Sequence, residues 1–92
     1  MKGDKLNMDV KKNPYKAPKS GVVLKEGDTG EQVMWLQYEL RRTEPDLKIT
    51  GKFDYHTKVK VMKYQAGIGL VPDGVAWTGI IESLSNHAIE EK

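Results

Sequence analysis

The sequence has no cysteine, a single phenylalanine, two histidines and no long apolar run. Without cysteine there are no disulfides, no thiolate metal sites and no cysteine nucleophile. A membrane helix needs about 18 consecutive apolar residues, and no such stretch occurs. The two histidines, His56 and His87, lie in separate regions and lack the spacing of a zinc pair such as H-E-x-x-H. Ser83 and Ser85 fall late in an expected helix rather than on a nucleophile turn, so no Ser–His–acid set is suggested. The reading is therefore a non-enzyme, with no catalytic residues, no metal and no cofactor. The basic start Met1-Lys2-Gly3-Asp4 is followed by no apolar core of a signal peptide, so none is read here.

What is present fits one small domain. The chain has 92 residues, of which 38% are hydrophobic and 30% charged, enough for a modest core and too apolar for full disorder. The charge is uneven. Residues 1–20 carry six lysines against Asp4 and Asp9, whereas residues 21–92 carry nine Lys or Arg against eleven Asp or Glu. Pro14 and Pro18 interrupt any helix near the start. Residues 1–20 thus read as a flexible basic tail or linker, and residues 21–92 as the domain. Lys58, Lys60 and Lys63 share one expected helix, but the folded part is slightly acidic and lacks an Arg–Asn base-reading set. They read as a solvated face, with no nucleic-acid partner.

Three helices are expected. The first runs from about Glu31 to Arg42, with Thr29 as N-cap, Gln32 completing a capping box, and Val33, Leu36, Gln37 and Leu40 on one face. Arg41 and Arg42 complement its C-terminal dipole, and Pro45 prevents continuation. The second runs from about Tyr55 to Gln65, capped by Asp54, with Gly67 and Gly69 as its stop. The third runs from about Thr78 to His87 with Ile80, Ile81 and Leu84 as its apolar face. Leu47–Ile49 and Leu70–Val71 are short extended segments available to pair. Val33-Met34-Trp35-Leu36-Gln37 and Val61-Met62-Lys63-Tyr64-Gln65 share the pattern V-M-x-(apolar)-Q. A glutamine held beside the core in this way can tie a neighbouring loop by hydrogen bonds to its backbone.

These residues together resemble a known family. Leu24-x-x-Gly27-Asp28-x-Gly30-x-x-Val33-x-x-Leu36-Gln37-x-x-Leu40 is similar to the opening of the peptidoglycan-binding domain found beside bacterial and phage cell-wall hydrolases. Gly51-x-Phe53, then Thr57, Val61, Tyr64 and Gln65, follow its D-G-x-F-G-x-x-T and V-x-x-F-Q segments. Gly69-Leu70-x-x-Asp73-Gly74-Val75 follows G-L-x-x-D-G-x, and Leu84 stands at the closing Leu. The resemblance covers residues 24–84. It implies an all-α fold, a compact three-helix bundle whose second and third helices each begin after a Gly-containing turn. Gly27, Gly51 and Gly74 precede the helices, where positive φ is often required. Thr50, Asp54, Trp77 and Ile80 depart from the family's usual Asp, Gly, Gly and Thr.

The resemblance further implies a module that docks a peptidoglycan glycan–peptide segment in a shallow groove near the starts of the second and third helices, outside the cell or at its wall. The partner would be a hydrolase domain in a longer parent protein. The alternative is a protein-interaction or structural domain, phage- or spore-associated, on the same scaffold. For ligand contact the expectation falls on Asp54, Tyr55, Asp73 and Trp77, since sugar faces stack on Tyr or Trp and carboxylates bond hydroxyls and amides. For Tyr55 and Trp77, packing and ligand contact both remain open. Trp35 and Tyr38 are expected to lie beneath the segment Tyr15–Val23. Tail lysines would add salt-sensitive attraction to anionic wall polymers.

Overall fold

A computed structural model describes residues 13–90, with side chains up to Ser85. The part of the expected tail before Asn13, and the side chain of His87, lie outside the described residues. Three helices follow in order: α1, Glu31–Leu40; α2, Tyr55–Gly67; and α3, Thr78–Glu90. The described residues hold no strand, only two isolated antiparallel bridges, Leu24 with Ala76 and Thr29 with Lys52. Leu47–Ile49 and Leu70–Val71 do not pair. The extended partner for both turns is the stretch 24–29 instead.

α1 is the central element and packs against both α2 and α3. It contributes Val33, Leu36 and Leu40, each at most 1% exposed, together with Trp35. α3 supplies Ile80, Ile81 and Leu84, and Leu24, Leu47, Phe53 and Ala76 close the core from the connections. The buried face of α2 is mostly polar: Thr57, Val61 and Gln65. Its two buried polar side chains are tolerated because each is fully hydrogen-bonded.

Helix boundaries differ from expectation in instructive ways. Thr29 does not cap α1. Gly30 takes that position at φ 122°, with no side-chain cap, because Thr29 is drawn into the bridge to Lys52. α1 stops at Leu40, with Arg41 as C-cap, and Arg42 bonds the buried Glu39 at 2.8 Å instead of serving the helix end. α2 continues two residues past Gln65, and Gly69, at φ 84°, makes the turn. Asp54 does cap α2, its Oδ1 accepting from Thr57 N at 3.2 Å. Gly51 and Gly74, both at φ 79°, supply the left-handed turns before α2 and α3.

The segment Asn13–Val22 lies along α1. Asn13 Nδ2 donates to Trp35 O and to Glu39 Oε2, both at 3.0 Å, and Lys16 N donates to Glu31 Oε2. The Tyr15 ring meets Tyr38 edge-on at 6.2 Å, and Tyr15 and Val22 pack on the core that contains Trp35. This is the cover expected for Trp35 and Tyr38.

Candidate functional site

The two glutamines of the V-M-x-(apolar)-Q repeat each hold one turn. Gln37 Oε1 accepts from Thr50 N at 2.9 Å and Gly51 N at 3.0 Å. Its Nε2 contacts Thr50 Oγ1, Lys52 O and Thr57 Oγ1 at 3.0–3.2 Å. Gln65 repeats the arrangement: Oε1 accepts from Gly74 N at 2.9 Å, and Nε2 donates to Asp73 Oδ1 at 2.8 Å and Val75 O at 3.0 Å. Thr50 Oγ1 and Asp73 Oδ1 are equivalents, since each also accepts the N–H two residues ahead, from Lys52 and Val75. The Thr57 hydroxyl accepts from Gln37, on a neighbouring helix.

The first of these turns forms one wall of a groove of about 710 Å³. The loop residues Asp46, Leu47, Lys48 and Thr50 line one side, and Asp54, Tyr55, His56, Val59 and Lys60 of the α2 N-terminal half line the other. Leu47 and Val59 give it apolar surface. Tyr55 is 65% exposed, so its ring is not spent on the core. His56 is exposed beside it, with ring centroids 6.4 Å apart.

An ion cluster closes the rim. Lys60 Nζ lies 3.0 Å from Glu44 and 3.3 Å from Asp46, and Lys63 lies 3.2 Å from Glu44. The bonds from Lys60, then Lys63, hold the Glu44 carboxyl below its ordinary range. Lys60 does the same for Asp46, and Glu44 raises Lys60 in return. The lysines were expected as a solvated face. Lys60 is instead only 15% exposed and doubly paired, while Lys58 reaches Glu26 at 3.7 Å. Sequence spacing carries no signal for this cluster, because its acids lie in the loop after α1.

The four expected contact residues divide into two places. Asp54 and Tyr55 line the groove; Asp73 and Trp77 do not. Asp73 and Trp77 form their own pair before α3, with Trp77 Nε1 donating to Asp73 Oδ2 at 3.0 Å. The Val75 N–H, the indole N–H and the Gln65 amide together depress the Asp73 pKa. Trp77 is 51% exposed. Among the described residues, no group of three or more His, Asp or Glu is placed to hold a metal ion.

Comparison with known proteins follows the same outline. The family described as "Putative peptidoglycan binding domain" matches residues 29–76. General secretion pathway protein A of Aeromonas hydrophila is 37% identical over 79 residues, covering 83% of this chain and 14% of that protein. Among solved structures, the Burkholderia AP3 phage endolysin shares 35% identity at a TM-score of 0.67, covering 71% of this chain and 25% of the endolysin. The SleB N-terminal domain shares 28% identity at a TM-score of 0.71, covering 77% of this chain and 99% of that one. A peptidoglycan-binding protein of Clostridioides difficile, 22% identical at a TM-score of 0.73, covers 77% of this chain and 45% of that one and agrees in fold. The chain thus spans a small part of the secretion protein and a quarter of the endolysin.

Proposed function

Since the chain belongs to the family of putative peptidoglycan binding domains, we propose that it is a cell-wall-binding module that takes a glycan–peptide segment in the groove beside Tyr55. The observation that carries this is the groove itself. Every residue lining it lies within the stretch matched to the family. Its surface mixes apolar area from Leu47, Val59 and the Tyr55 ring with the polar groups of Thr50, Asp54 and His56. That mixture suits a ligand of sugar rings joined to a short peptide, which needs both apolar contact and fixed hydrogen-bonding groups.

The contact area is small, so affinity per module is weak, on the order of micromolar to millimolar. Joined to a hydrolase or other partner domain, such a module raises the local concentration of substrate without adding contacts to the enzyme. The site of action is the wall or the periplasm facing it. With Lys60 and Lys63 already paired to Glu44 and Asp46, the rim carries little net charge, so wall binding should depend little on salt.

The test is retention of the purified chain on insoluble peptidoglycan, before and after acid removal of anionic polymers, at low and high salt. Retention on the stripped wall at high salt is the expected result. Retention lost on stripping or with salt would transfer the binding to the lysines near the start of the chain and overturn the groove. A second reading, a protein-interaction domain, is favoured by Ile68, Leu70 and Val71, which are 40%, 50% and 79% exposed. It takes over if no form of the wall retains the chain.

A further inference from the structure

Trp77 stands immediately before α3, at the position where Asp54 stands before α2. Asp54 caps its helix; an indole cannot do so. The second position therefore gives up a capping bond and also leaves half of a tryptophan in water, neither of which helps folding.

The exposed ring is nevertheless held in place. Its Nε1 donates to Asp73 Oδ2 at 3.0 Å. Asp73 Oδ1 in turn accepts from Gln65 Nε2 at 2.8 Å and from Val75 N at 2.9 Å. Gln65 is 2% exposed and rooted in α2. A continuous set of hydrogen bonds thus runs from the core to a surface ring. The same bonds use up the ring's only donor, so Trp77 offers a ligand its π face and nothing else. A face without a donor selects a ligand with a flat array of C–H groups, as on one side of a pyranose. The Asp73 carboxylate at the ring's edge disfavours phosphate-bearing ligands, whether nucleic acid or anionic lipid.

We infer that Trp77 is a saccharide-stacking platform that holds one sugar of a glycan strand by its apolar face, with Asp73 as the residue that positions the ring. The platform lies apart from the groove at Tyr55. It rests on the wall-binding reading and adds a second contact for the carbohydrate of that ligand. A ring fixed before binding loses no rotational freedom on contact, which favours a weak ligand.

The chain's two tryptophans make the test direct, because Trp35 is 4% exposed and Trp77 is 51% exposed. Intrinsic fluorescence is titrated with chitotetraose and with peptide-free glycan strands released from the wall by an amidase. The expected result is a saturable change in the intact chain and, by isothermal titration calorimetry, which needs no tryptophan reporter, affinity retained within about threefold in Trp77→Phe and a loss of about tenfold in Trp77→Leu. Asp73→Ala should make Trp77 emission anisotropy fall and weaken glycan binding a few-fold, and Asp73→Asn should do the same with the turn kept, because its amide oxygen still accepts from Gln65 and Val75 while its NH2 cannot accept from the indole N–H. No saturable change with either glycan, or equal affinity in Trp77→Leu, overturns the platform. A response to phosphatidylglycerol vesicles with none to glycans also overturns it and assigns the surface to a membrane. If the platform fails while the chain is still retained on insoluble wall, the groove reading stands; if retention is lost in the intact chain as well, the wall-binding reading fails with it.

Discussion

Gln65 donates to Asp73 across 2.8 Å, and the same glutamine accepts from the Gly74 N–H at 2.9 Å, so one buried side chain fixes both the acid and the turn that carries it. Gln37 does this for Thr50 and Gly51. The fold is built on this motif used twice: a helix presents a glutamine, the glutamine shapes a glycine turn, and the turn aims the next helix. Each functional candidate is placed by one of these turns, Asp54 and Tyr55 by the first and Trp77 by the second.

Removing either glutamine side chain leaves buried backbone donors and acceptors without partners. Gln37→Ala and Gln65→Ala should each destabilise the domain by about 2–4 kcal/mol. The Gln37 change should cost more, since it strands the larger set of groups. Urea unfolding followed by far-UV circular dichroism measures both. A cost under about 1 kcal/mol for either would show that water replaces the amide and that the turn does not need it.

The two glycine turns after α2 separate backbone strain from crowding. Gly69 and Gly74 both have positive φ, 84° and 79°. A Cβ on Gly69 meets open space, whereas one on Gly74 would lie 2.7 Å from Lys58 Cγ and 3.3 Å from Met62 Cγ. Gly69→Ala should cost about 1 kcal/mol, the left-handed penalty alone. Gly74→Ala should cost about 1–2 kcal/mol more, because α2 must move aside. Equal melting temperatures for the two variants would mean that Lys58 swings away freely.

Much of this scaffold was legible from spacing. The V-M-x-(apolar)-Q repeat pointed to both glutamines and to their role in tying loops. Asp54 as a cap, and Gly51 and Gly74 as turns, follow from local backbone chemistry that the sequence states directly. What spacing could not show was pairing between distant segments. Thr29 reads as an N-cap until Lys52 takes it into a bridge. Lys60 reads as a solvated lysine until the loop after α1 brings Glu44 and Asp46 beside it. The four residues expected to contact a ligand divide between a groove and a separate tryptophan, and that division depends on which flank of α2 each turn meets.

The ion cluster gives the domain a defined pH response. Glu44 and Asp46 have lowered pKa values because Lys60 hydrogen-bonds them. Their contribution is therefore fully present above the ordinary carboxylate value of about pH 4. It is lost as pH falls through their lower folded values. Lys60 is raised by Glu44, so its part is present below about pH 10.4 and is lost above that. The difference in melting temperature between the intact chain and Lys60→Met should be constant from about pH 5 to 9 and narrow below about pH 4. A difference that stays constant down to pH 2 would mean the ion pairs contribute nothing to folding.

The segment before Gly21 is structural from Asn13 onward. Asn13 bonds Trp35 O and Glu39 Oε2, and Glu39 is 4% exposed. A chain shortened to begin at Gly21 should lose about 1–3 kcal/mol and expose Trp35, shifting its emission to longer wavelength. Asn13→Ala should reproduce about half of that loss. If the shortened chain melts like the full one, α1 holds Trp35 without cover.

Tyr55 and Asp54 are neighbours in the groove, and they should respond to mutation in opposite ways. Asp54 Oδ1 caps α2 through Thr57 N, so Asp54→Ala should cost about 1 kcal/mol of stability whatever it does to binding. Tyr55 is 65% exposed, so Tyr55→Ala should leave stability within about 0.5 kcal/mol. Its effect should appear only in retention on stripped peptidoglycan, reduced about three- to tenfold at fixed wall concentration. Tyr55→Phe decides whether the ring or its hydroxyl is used: a ring that stacks tolerates the change, whereas a hydroxyl that bonds the peptide does not. Full retention by Tyr55→Ala with an unchanged melting temperature would remove the groove from the binding surface and leave Trp77 as the site to pursue.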